Sequence, residues 1–312
     1  MTSMALELKG VCKSYDGRQA LEPLDLTLKR GRVCGLLGPN GAGKTTTIRM
    51  ITGILLPDAG TISLFGDIFR PELRRRLGYL PEEHGLYPKM KVGEHLEFLG
   101  ALHGLSPADR RARTKRWLER LGLADRAARK VEELSKGMQQ KLQFIATVLH
   151  EPELLVLDEP FSGLDPGNAK VLKDIVLEFV AAGRTVILST HRMEQVEMMC
   201  DDICLIDRGR CVVSGPLAEV KKRYGHNTVH LEFEGPGEQI ERLPGVQRVD
   251  RYARYAEVRL AEKADPQDLF NALAGRVRVR RFALGEPSIN DIFLELTGSG
   301  SAPRVPAEEV GA

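Results

Sequence analysis

Short runs of apolar residues, at spacings that suit strands, open the chain. Residues 4–9 and 24–29 cluster or alternate apolar side chains, the pattern of strands. A glycine-containing turn, Tyr15-Asp16-Gly17-Arg18, lies between them. Val33-Cys34-Gly35-Leu36-Leu37 is a continuous apolar run that passes directly into a glycine-rich loop. The stretch from Lys44 then reads as a helix ending at Gly53. Residues 56–60 form a turn and 61–65 another short strand. From 92 to 149 the periodicity is helical. Within it, Ser106-Pro107-Ala108-Asp109 supplies a Ser cap, a Pro at the first helical position and an acid three residues on. Strands return at 154–157 and 185–190, with a helix over 169–182. Strand, helix, strand with fully apolar runs implies a parallel sheet. Two further runs, 203–207 and 211–214, suggest a hairpin around Arg208-Gly209.

The pattern changes near 221–227. Beyond it Val229, Leu231 and Phe233 alternate, 256–260 and 277–284 read as strands, and 265–273 and 288–296 read as helices. These elements suggest a second, small α+β domain over 226–298. The tail, 299–312, is rich in Gly, Ser, Pro, Ala and Glu and reads as disordered. No internal repeat is visible.

Composition adds bounds rather than chemistry. With 312 residues, 42% hydrophobic and 28% charged, the chain is an ordinary globular protein long enough for one large domain and a smaller one. A net charge of +2 gives no whole-molecule argument for binding nucleic acid, and none is expected as a partner. The five cysteines form no C-x-x-C pair and lack the partners of a zinc site. They fit a reducing cytoplasm. Cys200 and Cys204 stand four apart, the spacing of one helical turn. The basic residues from Arg110 to Arg120 fit a solvated helix face better than a binding patch. No apolar run approaches the roughly 18–20 residues of a membrane span, and the N-terminus lacks a signal-peptide pattern. If the protein works at a membrane, another chain is expected to cross it.

Chemistry enters at Gly38-Pro39-Asn40-Gly41-Ala42-Gly43-Lys44-Thr45, which matches G-x-x-x-x-G-K-[ST] between a strand and a helix. Its glycines let backbone N–H groups turn inward on phosphate oxygens, and the helix N-terminus adds partial positive charge. Lys44 suits the β- and γ-phosphates, Thr45 suits Mg²⁺, and Thr46 follows on the same turn. Alone, this loop says that a nucleotide binds, not which one. The apolar run 154–157 delivers Asp158 and Glu159 at its C-terminal end, the edge where parallel sheets bind ligands. Asp158 suits Mg²⁺; Glu159 can accept a proton from an attacking water. His191 ends the strand 185–190 at the same edge, placed for a hydrogen bond to the γ-phosphate or to that water.

With these residues, Leu134-Ser135-Lys136-Gly137-Met138-Gln139 resembles the signature of the nucleotide-binding subunits of ABC transporters. The resemblance covers about residues 4–220, with a helical subdomain at about 82–150. It implies an α/β fold, a P-loop NTPase with a parallel-sheet core, an antiparallel β subdomain and a helical subdomain, with the small α+β domain added. It implies ATP and Mg²⁺ as cofactors, and a homodimer, or a heterodimer with a related subunit, in which Ser135 and the amide of Gly137 cap the γ-phosphate of the partner's ATP. Ser162-Gly163-Leu164-Asp165 resembles the D-loop that communicates across that dimer, and Tyr15 is placed like the aromatic residue that stacks on adenine. There are departures. Lys136 and Met138 replace Gly and Gln of the signature. Glu82, after Tyr79-Leu80-Pro81, stands where Gln is usual; it can still reach Mg²⁺ and adds negative charge. The stretch 79–90 and the close of the chain, Pro287 to Gly298, resemble type-2 exporters of the sodium-export and daunorubicin-resistance kinds. That implies ATP-driven dimerisation powering a separate integral-membrane permease, on the cytoplasmic face of the membrane. A soluble ABC ATPase acting on ribosomes or DNA is the alternative, but such chains usually carry two motif sets or a coiled coil. A kinase would have no use for the signature.

Overall fold

The computed structural model describes residues 4–83, 85–224, 228–235, 237–252, 255–261, 264–285 and 287–297. The chain divides into two compact units, Met1–Gly215 and Pro216–Ala312. The expected tail, 299–312, lies outside the described residues, as do 225–227 of the stretch where the pattern changes.

The first unit opens with two long strands, β1 (Met4–Tyr15) and β2 (Arg18–Lys29). They are longer than their apolar runs because the hairpin continues through Lys13, Ser14 and Gln19 on a solvated face, where Ser14 Oγ donates to Gln19 Oε1 at 3.0 Å. After β3 (Val33–Leu37) and α1 (Lys44–Ile51) come β4 (Ala59–Leu64) and β5 (Asp67–Ile68). These complete a four-stranded sheet ordered β2-β1-β4-β5, antiparallel throughout. Next are β6 (Leu77–Leu80), α2 (Val92–Leu102), α3 (Pro107–Arg120), α4 (Lys136–Val148), β7 (Leu154–Asp158), α5 (Pro166–Ala181), β8 (Thr185–Thr190), α6 (Met193–Met199), β9 (Asp202–Asp207) and β10 (Arg210–Pro216). The second sheet runs β10-β9-β3-β8-β7-β6, with β9, β3, β8, β7 and β6 parallel.

The parallel strands are buried on both faces, which is why they read as unbroken apolar runs. Helix α1 joins the two sheets: Ile48, Met50 and Ile51 share one core with Leu6, Leu8 and Leu28 of the first sheet and Leu36, Val156 and Ile187 of the second. Strand β6 had no distinct signal in the sequence. It is four residues long, and its Gly78 admits α4 closely: a Cβ there would stand 2.6 Å from the Thr147 carbonyl oxygen.

The helical stretch begins and stops on local chemistry. Ser106 caps α3, accepting from Asp109 N at 3.1 Å, and Ser135 caps α4, accepting from Met138 N at 3.3 Å. Part of the basic face of α3 is paired: Arg113 and Arg116 reach Glu151, and Arg120 reaches Glu178. Cys200 ends α6 and Cys204 lies in β9, so their four-residue spacing is not a helical turn. All five cysteines are free thiols.

His150, just past α4, stacks on His103 with ring centroids 3.7 Å apart, and its Nε2 lies 2.8 Å from the Leu77 carbonyl oxygen. Burial, helped by His103 and Arg113, lowers its pKa from 6.5 to about 4. The unfolded chain therefore takes up a proton below about pH 6.5, while the folded chain does so only near pH 4. Stability from this ring is present above pH 6.5 and lost as pH falls toward 4, with about 2 kcal/mol lost between pH 7 and pH 5. His150→Gln should flatten that slope in urea midpoints taken at the two pH values; an unchanged slope would remove the ring from the acid response.

The second unit contains α7 (Leu217–Tyr224), β11 (Thr228–Glu234), β12 (Val246–Arg251), β13 (Tyr255–Leu260), α8 (Pro266–Leu273), β14 (Arg278–Gly285) and α9 (Ile289–Thr297). Its sheet is ordered β12-β13-β11-β14, antiparallel throughout. Val229, Leu231, Ala256 and Val258 of the sheet meet Leu269 and Leu273 of α8 in a core of its own. Strand β12, Val-Gln-Arg-Val-Asp-Arg, escaped the sequence reading because half its residues are charged. Ser288 and Asp291 form the reciprocal bonds of a capping box: Asp291 N donates to Ser288 Oγ at 3.1 Å and Ser288 N to Asp291 Oδ2 at 3.2 Å.

Candidate nucleotide-binding site

Strands β3, β7 and β8 end at one edge of the parallel sheet, and each delivers part of the site there. After β3 the chain turns through Gly38 and Gly43, whose φ values of 145° and 111° suit glycine. A Cβ on Gly38 would stand 2.0 Å from the Ile206 carbonyl oxygen, and one on Gly43 2.8 Å from that of Ala20. Beside Gly41, by contrast, a Cβ would find open space. The loop is packed tightly from behind and open in front. Gly209 N donates to Ala42 O at 2.9 Å, which ties the β9–β10 hairpin to the loop's back.

Lys44, at the start of α1, is 7% exposed. Its Nζ donates to Gly38 O at 2.7 Å and to Pro39 O at 3.0 Å. Burial lowers its pKa, and Glu159, Asp158 and Glu82 oppose that shift. Thr45 Oγ1 donates to Asp158 Oδ2 at 3.3 Å. Asp158, 2% exposed, has its pKa raised by burial first and by the charges of Glu82 and Glu159, with Thr45 and Ser189 pulling the other way. Ser189 is a residue the sequence reading missed. It pairs with Asp158 in the β7–β8 register, and its only signal was a hydroxyl pair, Ser189-Thr190, closing an apolar run.

Glu159 turns the chain out of the sheet with φ 48°, a left-handed conformation that a side chain rarely adopts. It is held there by Glu159 N donating to Ser189 O at 3.0 Å. Such strain collects at functional sites. The carboxylate has three donors from the end of β8: His191 N at 2.9 Å and His191 Nδ1 at 2.6 Å on Oε1, and Thr190 Oγ1 at 3.3 Å on Oε2. His191 thus faces Glu159, with half its side chain exposed.

These residues surround a cavity of about 300 Å³, lined by Asn40, Gly41, Gly43, Lys44, Thr45 and Thr46 of the loop and by Ala20, Glu82, Asp158 and Glu159. Eight candidates are not among its lining: Gly38, Pro39 and Ala42 of the loop itself, His191, and Tyr15, Ser135, Gly137 and Asp165. Tyr15 is exposed at the end of β1, with Lys13 Nζ 6.0 Å from its ring centroid. Ser135 and Gly137 sit at the N-terminus of α4. Asp165 caps α5, accepting from Asn168 N at 2.9 Å. A larger cavity, about 820 Å³, lies in the second unit beside Phe233 and Tyr252. It contains none of these groups.

Three carboxylates around a single ammonium leave the cavity with an excess of negative charge that fits a divalent cation. Among the described residues, no group of three or more His, Cys, Asp or Glu side chains could hold a metal by itself.

The model of the ABC transporter family matches residues 21–162, and that of the ATP-binding protein DrrA1-3-like C-terminal domain matches 215–297. An ABC transporter ATP-binding protein of Bacillus subtilis (strain 168), YhaQ, is 42% identical over 294 residues, covering 94% of this chain and 99% of that protein. The chain belongs to the ABC transporter ATP-binding proteins. The daunorubicin/doxorubicin resistance ATP-binding protein DrrA of Streptomyces peucetius is 36% identical, covering 94% of this chain and 92% of that one. A solved ATP-binding subunit of an ABC transporter superposes with a TM-score of 0.67 at 34% identity, over 71% of this chain and 93% of its own. ABC ATP-binding domains hydrolyse ATP to drive transport, so the cavity at Lys44 belongs to an ATPase. Among the described residues no helix is long and apolar enough to cross a membrane.

Proposed function

We propose that the chain is the ATP-hydrolysing subunit of a type-2 exporter, working as a dimer on the cytoplasmic face of a membrane beside a separate permease. The observation that carries this reading is the pairing of an ABC site with a C-terminal unit matched by the DrrA-like family. The name of the Streptomyces relative, a resistance protein, points toward export.

In this reading the loop from Gly38 to Thr46 grips the phosphates and Lys44 turns from the carbonyls of Gly38 and Pro39 to a phosphate oxygen. Asp158 and Thr45 would hold Mg²⁺, with Glu82 beside them, and the metal would supply charge to offset that of the phosphates. Glu159 takes the proton of the attacking water, and His191, 2.6 Å from its carboxylate, orients it or stabilises the charge that develops. Tyr15 stacks on adenine. Ser135 and Gly137, at the N-terminus of α4, cap the γ-phosphate held by the partner, with Asp165 at the same interface. Each ATP then bridges two chains, and hydrolysis releases them.

Affinity purification of the tagged chain from its native membranes should bring down an integral-membrane protein of several helices. Recovery with ribosomes or DNA and no membrane protein would sink the exporter reading.

Glu82 offers a narrower test. Glu82→Gln removes one of the three carboxylates that line the cavity, so ATPase activity should persist with a shifted Mg²⁺ dependence. Superimposable Mg²⁺ curves for the two proteins would take Glu82 out of the metal's surroundings.

A further inference from the structure

Helix α4 carries polar side chains where a core helix would carry apolar ones. Gln140, Gln143 and Thr147 are 6%, 4% and 6% exposed. At spacings of three and four they share one helical face. A buried side-chain amide is costly unless its hydrogens are used, and here they are. Gln143 Nε2 donates to Pro81 O and to Glu83 O, both at 3.2 Å. Glu82, which lines the ATP cavity, is the residue between those two carbonyls. One turn earlier Gln140 Nε2 donates to Pro160 O at 3.1 Å, next to Glu159. One turn later Thr147 Oγ1 donates to Gln143 O at 2.9 Å and lies 3.3 Å from the Tyr79 carbonyl oxygen.

The helix that opens at Ser135 is therefore fastened by side chains to the two loops that present Glu82 and Glu159. Packing alone would be served as well by leucine or methionine. Two amide hydrogens spent on the carbonyls either side of one acid fix where that acid stands.

We propose that Gln143 is a positioning residue that holds Glu82 at the metal side of the ATP cavity and makes it move with α4. This rests on the reading of Glu82 as a group facing Mg²⁺. Gln143 does not line the ATP cavity; it acts through the loop. Because Ser135 begins the same helix, whatever binds at that end shifts Glu82 through a rigid element of 13 residues.

The test is a double-mutant cycle on the full chain, read as the Mg²⁺ concentration that half-saturates binding of a fluorescent ATP analogue. Binding avoids any dependence on turnover. Gln143→Met keeps length and burial and removes both donors. It should raise the half-saturating Mg²⁺ about tenfold, as loss of a group that orients a metal's surroundings does. Affinity at saturating Mg²⁺ should stay within about twofold. Glu82→Ala should raise it as well, and the double variant no further than Glu82→Ala alone. A wild-type Mg²⁺ curve for Gln143→Met, or shifts that add in the double variant, overturns the proposal. A wild-type curve for Glu82→Ala shows instead that the metal reading of Glu82 fails, and the positioning role falls with it. Gln143→Leu, checked by thermal melting, takes the same measurement should the methionine variant not fold.

Discussion

Replacing Glu159 with Gln is expected to slow ATP hydrolysis by about 10²- to 10⁴-fold, the usual contribution of a general base, while ATP still binds. That factor corresponds to about 3–5 kcal/mol on the barrier. The substitution is close to isosteric, and the surroundings tolerate it. The new amide oxygen can accept from His191 N and Nδ1, as Glu159 Oε1 does, and the amide nitrogen can donate to Thr190 Oγ1. Fold and affinity should therefore survive while the proton acceptor is lost. If each ATP bridges two chains, a protein that binds without hydrolysing should accumulate as an ATP-dependent dimer in size-exclusion chromatography. Near wild-type phosphate release would show that Glu159 is not the base. Slow release with no dimer would leave the base in place and remove the bridging of two chains by ATP.

The parts of this site that were legible in the sequence are those whose chemistry is local. Gly38 to Thr45 is a contiguous motif between a strand and a helix, and Asp158-Glu159 ends an apolar run; contiguity is what a single sequence displays. The contact of His191 with Glu159 joins residues 32 apart, and the pairing of Ser189 with Asp158 depends on strand register. Neither distance nor register is written in spacing. Gln143 was hidden for another reason. A polar residue on a helix reads as solvated, and only the fold shows that its amide is buried against the Glu82 loop. Among the elements, β3, β7 and β8 were plain because burial on both faces makes them uniformly apolar, whereas β6 and β12 were too short or too charged to stand out from the loops around them.

Lys44→Ala should cost about 10²-fold in ATP affinity and leave the fold in place. A hydrogen bond to a charged group contributes about 1.5–3 kcal/mol, and each 1.4 kcal/mol is about tenfold in affinity, so one or two lost contacts to phosphate reach that figure. Electrostatics add to it. Without Lys44 the cavity holds Glu82, Asp158 and Glu159 and no cation to admit a polyanion beside them. Stability should respond far less, because burial already disfavours the charged form of Lys44. Its removal relieves a desolvated ammonium and costs two bonds to the carbonyls of Gly38 and Pro39. Lys44→Arg should not restore binding. A guanidinium is wider than an ammonium and presents its donors in a fixed planar fork, whereas the carbonyls of Gly38 and Pro39, at 2.7 and 3.0 Å, are fitted to a compact ammonium. Isothermal titration of the two variants with ATP separates charge from shape. Wild-type affinity for Lys44→Ala would remove the phosphate-gripping role of the loop's only lysine; recovery in Lys44→Arg would show that charge alone suffices and that the close fit of the loop around the ammonium does not matter.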